Sequence, residues 1–175
     1  MKIVIDTREQ TPLKFRTSKN VEGTVVKALN TGDYSIEGME HLIAIERKSA
    51  ADLYGSLGKG NARFQRELSR AALNLDYFAI IIENPYICVR DKLFKGSNYS
   101  KMRSDVVLKI LWTLMHKYHI QVMFCNGPVE ASSIVRGILM SYYNCRKKKP
   151  KFCYKTDIDI IERIQEIRRK ISIKI

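Results

Sequence analysis

The sequence predicts an α/β domain, a mixed central sheet flanked by helices. Three observations predict it. Short apolar runs come first, at 2–6, 23–29, 33–37 and 41–48, and only then do strands alternate with helical stretches, an order expected when helices cover a sheet. The run YFAIIIE (77–83) is apolar almost throughout, which suits a strand covered on both sides. Phe64, Leu68, Ala71 and Leu75 recur at the 4, 3, 4 spacing of one helix face.

Taken in order, KIVID (2–6) is a strand broken by TREQTP, and GTVVKAL (23–29) is a weaker one. DYSIE (33–37) and HLIAIERK (41–48) flank Gly38 as a hairpin. Ser49 with Asp52 three residues on is a capping pattern that opens a first helix, SAADLYGSL. After the glycine loop 58–61 comes the helix ARFQRELSRAALNL, then the strand 77–83. The stretch 84–103 reads as irregular, basic and aromatic. A helix over 104–119, a strand over 120–125 and a helix over 129–144, with Pro128 suited to its start, complete the domain. RKKKPK (146–151) is a solvated basic linker, and Thr156 with Asp159 opens a last helix over about 157–170. The organisation is therefore a domain at 1–145 and a tail at 146–175.

The chain has 175 residues, 31 Lys and Arg against 18 Asp and Glu, and a net charge of +13. Such an excess points to a polyanion, foremost nucleic acid, because Lys and Arg displace counterions from phosphates. No apolar stretch reaches the ~18 residues of a membrane span, and Asp6 comes too early for a signal peptide. These features predict an intracellular protein, in a prokaryotic cytoplasm, virus-encoded in a host cell, or in a nucleus. The four cysteines, Cys88, Cys125, Cys145 and Cys153, show no CxxC spacing, so a zinc site is not expected.

The hairpin carries the chemistry. If its loop holds an even number of residues, Asp33 lies opposite Ala44, and Asp33, Ala44, Glu46 and Lys48 share one sheet face. Tyr34, Ile36, Ile43 and Ile45 then form the core face. An odd loop scatters the set unless a bulge restores it. Two carboxylates and an amine on one face suit Mg²⁺, which takes one or two carboxylates and keeps water and substrate phosphate for its other positions. They equally suit a surface ion-pair ladder, which contributes little. Asp52 is explained by the helix cap.

VIDTREQ, GDYSI, IERKSAADL, RFQRE and IIIE, in that order, resemble the nuclease domain of XPF-type structure-specific DNA endonucleases, whose signature runs GD, a gap, ERK, three residues, D. Here it is Gly32-Asp33, a gap of 12, then Glu46-Arg47-Lys48 and Asp52. The resemblance implies a restriction-endonuclease-like core of the PD-(D/E)xK superfamily and cleavage of branched or flapped DNA with Mg²⁺ or Mn²⁺. By position it implies Asp6, Glu9, Asp33, Glu46, Arg47 and Lys48 as catalytic, with Asp6, Asp33 and Glu46 on the metal. Arg63 and Gln65 match a block after the glycine loop, in shorter spacing here, and Glu83 matches a glutamate ending the next strand. No helix-hairpin-helix pattern follows residue 145, which leaves junction specificity by that route in doubt.

For DNA contacts, Arg63, Arg66 and Arg70 form one helix stripe, open to phosphate or simply to water. Lys59 and Asn61 sit where loop amides approach phosphate. In 86–103, Arg90, Lys92, Lys95, Lys101 and Arg103 interleave with Tyr86, Phe94 and Tyr99, a pattern for backbone contact and base stacking. His116 and His119 read as helix-end residues. Trp112 reads as core or dimer face, and the helices at 104–119 and 129–144 are apolar enough to pack a twofold partner. The rival readings are a non-catalytic DNA-binding module descended from a nuclease and an RNA-processing nuclease.

Overall fold

The computed structural model describes residues 1–147. The expected helix at 157–170 and most of the linker at 146–151 lie outside them. Met1–Met140 form one compact unit, and Ser141–Lys147 are the described part of a second.

Six strands make one mixed sheet: β1 (Lys2–Ile5), β2 (Gly23–Val26), β3 (Tyr34–Ile36), β4 (Ile43–Lys48), β5 (Tyr77–Ile82) and β6 (Gln121–Phe124), in the order β2-β1-β3-β4-β5-β6. β1 and β2 are parallel, β3 runs antiparallel to both β1 and β4, and β4, β5 and β6 are parallel. The second half of β5 is β-branched and wholly buried, Ile80, Ile81 and Ile82 at 0% exposure, as a strand covered on both faces requires. The parallel arrangement brings the C-terminal ends of β4, β5 and β6 to one edge of the sheet.

Five helices pack around it: α1 (Ala50–Leu57), α2 (Asn61–Asn74), α3 (Tyr86–Arg90), α4 (Ser104–Tyr118) and α5 (Pro128–Lys147). Leu53, Leu57, Phe64, Leu68, Leu111 and Leu114 from α1, α2 and α4 meet Ala44, Phe78, Ile80 and Ile82 on one sheet face. The opposite face carries Ile3, Ile5, Tyr34, Ile36, Ile43 and Ile45, all buried. There the Leu13 amide donates to Tyr34 Oη at 3.0 Å, Phe15 packs edge-on to Tyr34, and Ser132 Oγ of α5 donates to the Lys14 carbonyl at 2.6 Å. The 13–15 segment and α5 thus cover that side. Burying these aliphatic side chains supplies the main stabilisation, roughly 1.5–3 kcal/mol each.

Ser49 caps α1 as its spacing predicts, accepting the Asp52 amide. Two boundaries differ from the sequence reading. Residues 84–103 are not wholly irregular: Pro85 starts α3, whose Val89 is buried and whose Val89 carbonyl accepts Tyr54 Oη at 2.9 Å, and Ser97–Tyr99 form a 3₁₀ turn. Within the second unit, α5 continues to Lys147, past the expected 144. Tyr142 Oη accepts Arg146 Nε at 3.2 Å and Lys147 lies 4.7 Å from the Tyr143 ring centre. Such pairs four residues apart, with cations in the last turn, favour helix. Among the described residues no helix is long and apolar enough to cross a membrane. Trp112 is 49% exposed, so it lies on the surface of α4 rather than in the core.

Candidate active site

β4 builds the site because consecutive residues of a strand point to opposite faces. Glu46 and Lys48 follow Ala44 onto the α1/α2 side, and Arg47 follows Ile45 onto the α5 side. β3 pairs Tyr34 with Ile45, and continuing that register sets Asp33 across from Glu46 rather than from Ala44. The connection between the strands spans six residues, 37–42. Its length is even, so the shift by two leaves every side chain on the expected face.

Gly32 lets Asp33 take this position. Its φ is +77°, and an added Cβ would stand 3.0 Å from Ala44 Cβ and 3.1 Å from the Ile45 carbonyl oxygen. Both the left-handed conformation and the close approach require glycine. The Asp33 amide then donates to the Ile45 carbonyl and its carbonyl accepts the Asp6 amide, both at 2.8 Å.

Asp33, Glu46 and Lys48 face a cleft of about 440 Å³, whose other wall is α1 and α2 with Asp52, Arg63, Phe64 and Glu67, and whose rim carries Arg8. Four acids and three bases line it, a formal charge of −1 on a protein of +13. Lys48 Nζ donates to Glu46 Oε1 at 2.8 Å and lies 4.8 Å from the Phe64 ring centre. The Arg47 amide donates to Asp33 Oδ2 at 2.8 Å. Each carboxylate therefore has one oxygen fixed. No hydrogen bond from the described residues reaches Asp33 Oδ1 or Glu46 Oε2.

Burial dominates the electrostatics. It pushes Asp33 up to about 6, against the Arg47 amide and Lys48 and with help from Glu9 and Glu67. It pushes Glu46 up to about 8, with the Asp33 charge adding to it. Burial opposes the Lys48 ammonium, but Glu46, Glu67 and Asp33 together hold it above its ordinary range. Two neighbouring carboxylates both resisting ionisation are relieved by a positive ligand between them.

Among the described residues no three His, Cys, Asp or Glu side chains form a complete metal cage. Two hard carboxylates from adjacent strands, each with a free oxygen, fit a Mg²⁺ or Mn²⁺ that retains water and phosphate.

The structure separates other sequence-predicted residues from this group. Asp6, 1% exposed, is saturated: Oδ1 accepts the Arg8 amide and Nε, and Oδ2 accepts Arg8 Nη2 and the Leu29 amide at 2.6 Å. Burial opposes its charge, yet these hydrogen bonds hold it below the usual carboxylate range. Asp6 thus orients Arg8 and has no oxygen left for a cation. Glu9, Arg47 and Glu83 form a second cluster on the other face. Arg47 Nη1 donates to the Thr11 carbonyl at 2.6 Å and to Glu9 at 3.4 Å, and Nη2 donates to Glu83 at 2.7 Å. Burial works against the guanidinium, but the Glu83 contact keeps its pKa above the ordinary value.

Of the residues expected on DNA, Arg63 lines the cleft. Lys59 and Lys101 line a neighbouring groove of about 690 Å³ with Tyr54 and Phe94, and Ala51 and Gly55 border both spaces. Arg66, Arg70 and Lys95 are exposed outside these cavities. Asn61 and Gln65 bond each other at 2.6 Å, and Gln65 Oε1 also accepts Lys117 Nζ and Tyr118 Oη, which ties α2 to α4. Lys92 donates to the Ser100 carbonyl and stacks over Tyr54, bracing its own loop. Arg103 pairs with Asp105 at 2.8 Å. His119 ends α4 in a left-handed conformation. Sequence reasoning passed over Arg8 and Glu67. Glu67 sits three residues after buried Phe64 and one before buried Leu68, so its place beside the apolar face was the available signal.

The model of the ERCC4 domain matches residues 5–138. The fold is similar to XPF from Aeropyrum pernix at 22% identity and a TM-score of 0.62, over 83% of this chain and 66% of that one. It is likewise similar to XPF from Aeropyrum pernix in complex with DNA, at 21% identity and a TM-score of 0.59, over 86% and 68%. The chain thus spans about two thirds of the proteins it resembles. No curated protein matches by sequence. With a family match over most of its length and a six-stranded sheet of the same architecture, the chain belongs to the ERCC4 domain family, the XPF-type nuclease domains.

Proposed function

We propose that the chain is a divalent-metal-dependent DNA endonuclease that acts on branched or flapped DNA. One observation carries the reading: Asp33 and Glu46 meet across β3 and β4 in one cleft, each with an uncommitted oxygen, with Lys48 hydrogen-bonded beside them. Asp33 Oδ1 and Glu46 Oε2 are the atoms that would hold Mg²⁺ or Mn²⁺. The bound ion would supply Lewis acidity to a phosphoryl oxygen and lower the pKa of a water. Lys48 eases the ionisation of Glu46 that burial resists, and its ammonium would face the negative charge that develops on the phosphoryl oxygens. Arg63 and Arg8 reach the same cleft as cations for non-bridging phosphate oxygens. Asp6 acts by aiming Arg8, and Arg47 by bracing β4 through Glu9 and Glu83. The groove with Lys59 and Lys101 extends the cleft and suits a nucleic-acid strand, its lysines for phosphate and Phe94 for stacking. The DNA-bound XPF of Aeropyrum pernix supports DNA as the polymer.

The test is cleavage of flap, fork, Holliday-junction and linear duplex DNA with Mg²⁺. Asp33→Ala and Lys48→Ala should both lose nicking while still melting cooperatively, and full activity in either rejects the site. DNA binding without cleavage at any metal concentration would favour the non-catalytic module, and preferential digestion of RNA the RNA-processing enzyme. Pairing of two copies through α4 and α5 belongs to the same reading. It predicts a dimer by light scattering that Trp112→Glu weakens.

A further inference from the structure

A third cavity, of about 550 Å³, lies on the α5 side of the sheet. Its lining includes Lys14, Arg16 and Arg136, and no carboxylate among the described residues. Lys14 and Arg16 are exposed, and no ion pair within the described residues involves either. Arg136 Nη2 donates to Ser18 Oγ at 2.9 Å, while its Nε is buried without a partner among the described residues. Ser132, which donates to the Lys14 carbonyl, and Ser133 complete the polar wall. The floor is the first turn of α5, whose Glu130 is turned to the Asn126 amide at 2.6 Å and is not part of the lining.

The position of this cavity matters as much as its charge. α5 begins four residues past the end of β6, at the edge where β4 and β5 also end. Arg47 grips the Thr11 carbonyl at 2.6 Å, and Thr11 adjoins Pro12, which lines the cavity. The neighbours of Arg47 in β4, Glu46 and Lys48, face the catalytic cleft. The two cavities therefore flank the same end of β4 from opposite faces of the sheet.

We infer that Lys14, Arg16 and Arg136 form a further phosphate-binding groove, which takes the backbone of the DNA beyond the strand held in the catalytic cleft. Three cations with no internal acid lose little by exchanging water for phosphate, and a neutralised phosphate releases counterions. Cations that bond phosphate oxygens fix position rather than sequence. The inference rests on the reading of the chain as a DNA-acting enzyme.

The experiment measures binding of a labelled forked duplex to the full chain in EDTA, across a salt titration. Lys14→Ala with Arg16→Ala should lower affinity about tenfold and reduce the slope of log K against log salt by about 1–2, close to 0.9 per lost phosphate contact. Lys14→Arg with Arg16→Lys should keep the wild-type slope. Lys109→Ala with Lys117→Ala, which removes the same charge from α4, should change it less. An unchanged slope in the alanine pair, or an equal drop in the α4 pair, overturns the groove while leaving the catalytic reading intact. A wild-type chain that binds no DNA overturns both. Both replaced side chains are exposed, and a thermal melt of each variant verifies that the fold persists.

Discussion

Replacing Asp33 by Asn should stabilise the metal-free protein at pH 8 and abolish cleavage. Burial, with Glu9 and Glu67 adding to it, raises the Asp33 carboxyl from its ordinary 3.8 to about 6. The native state then holds the proton more tightly than the unfolded chain. The favourable contribution is complete below the unfolded value near 3.8 and is lost as pH rises through about 6. At about 1.36 kcal/mol for each tenfold change in proton affinity, the ionised carboxylate costs on the order of 2–3 kcal/mol at pH 8. Asn cannot ionise, and its side-chain oxygen can still accept the Arg47 amide that Asp33 accepts at 2.8 Å. For a domain of this size 1 kcal/mol moves Tm by roughly 2–4 °C, so the variant should melt roughly 5–10 °C above wild type at pH 8. At about pH 4 most of that gap should close. Calorimetry in EDTA reads the gap directly. Adding Mg²⁺ at pH 8 should then raise the wild-type Tm and leave the variant nearly unmoved. An equal offset at both pH values, or a variant less stable at pH 8, would refute the claim that the cleft strains this carboxylate.

Three further outcomes follow from the same geometry. Gly32→Ala places a Cβ against Ala44 and the Ile45 carbonyl at positive φ; it should cost roughly 1–3 kcal/mol in a urea melt and depress cleavage by displacing Asp33. Asp6→Ala should destabilise by roughly 1–3 kcal/mol, because it leaves the buried Leu29 amide without its acceptor while Arg8 stays largely in water, yet isothermal titration of the folded variant should find Mg²⁺ affinity close to wild type. Gln65→Ala cuts the tie between α2 and α4; it should lower stability by about 1 kcal/mol and leave DNA affinity unchanged in an anisotropy titration.

Much of the fold was legible in sequence because the relevant signals are periodic. Phe64, Leu68 and Ala71 form the buried face of α2 as their spacing implies, and the even parity of the hairpin places Asp33, Glu46 and Lys48 together. The register itself was not legible. Gly38 suggests a tight turn, but the Met39 carbonyl accepts the amides of both Leu42 and Ile43, and this local structure lengthens the loop to six residues. The fate of Asp6 was hidden for a different reason. A buried carboxylate beside a strand end looks the same in sequence whether it faces a cation or an arginine two residues away, and only the fold brings the Leu29 amide to its second oxygen. The groove of Lys14, Arg16 and Arg136 left no trace, since the 12–16 segment has no periodicity and Arg136 lies 120 residues beyond Arg16.

The acidic cleft on a basic molecule has a consequence for the sequence of events. The net charge of +13 attracts a polyanion, yet the cleft is lined by four carboxyl groups against three cationic groups and adds nothing to that attraction. A bound divalent cation would take the formal charge of the lining from −1 to +1. On the proposed function this arrangement would act as an interlock: the polymer would first be captured on the outer lysines and arginines, and the scissile group would settle only once a cation had armed the cleft.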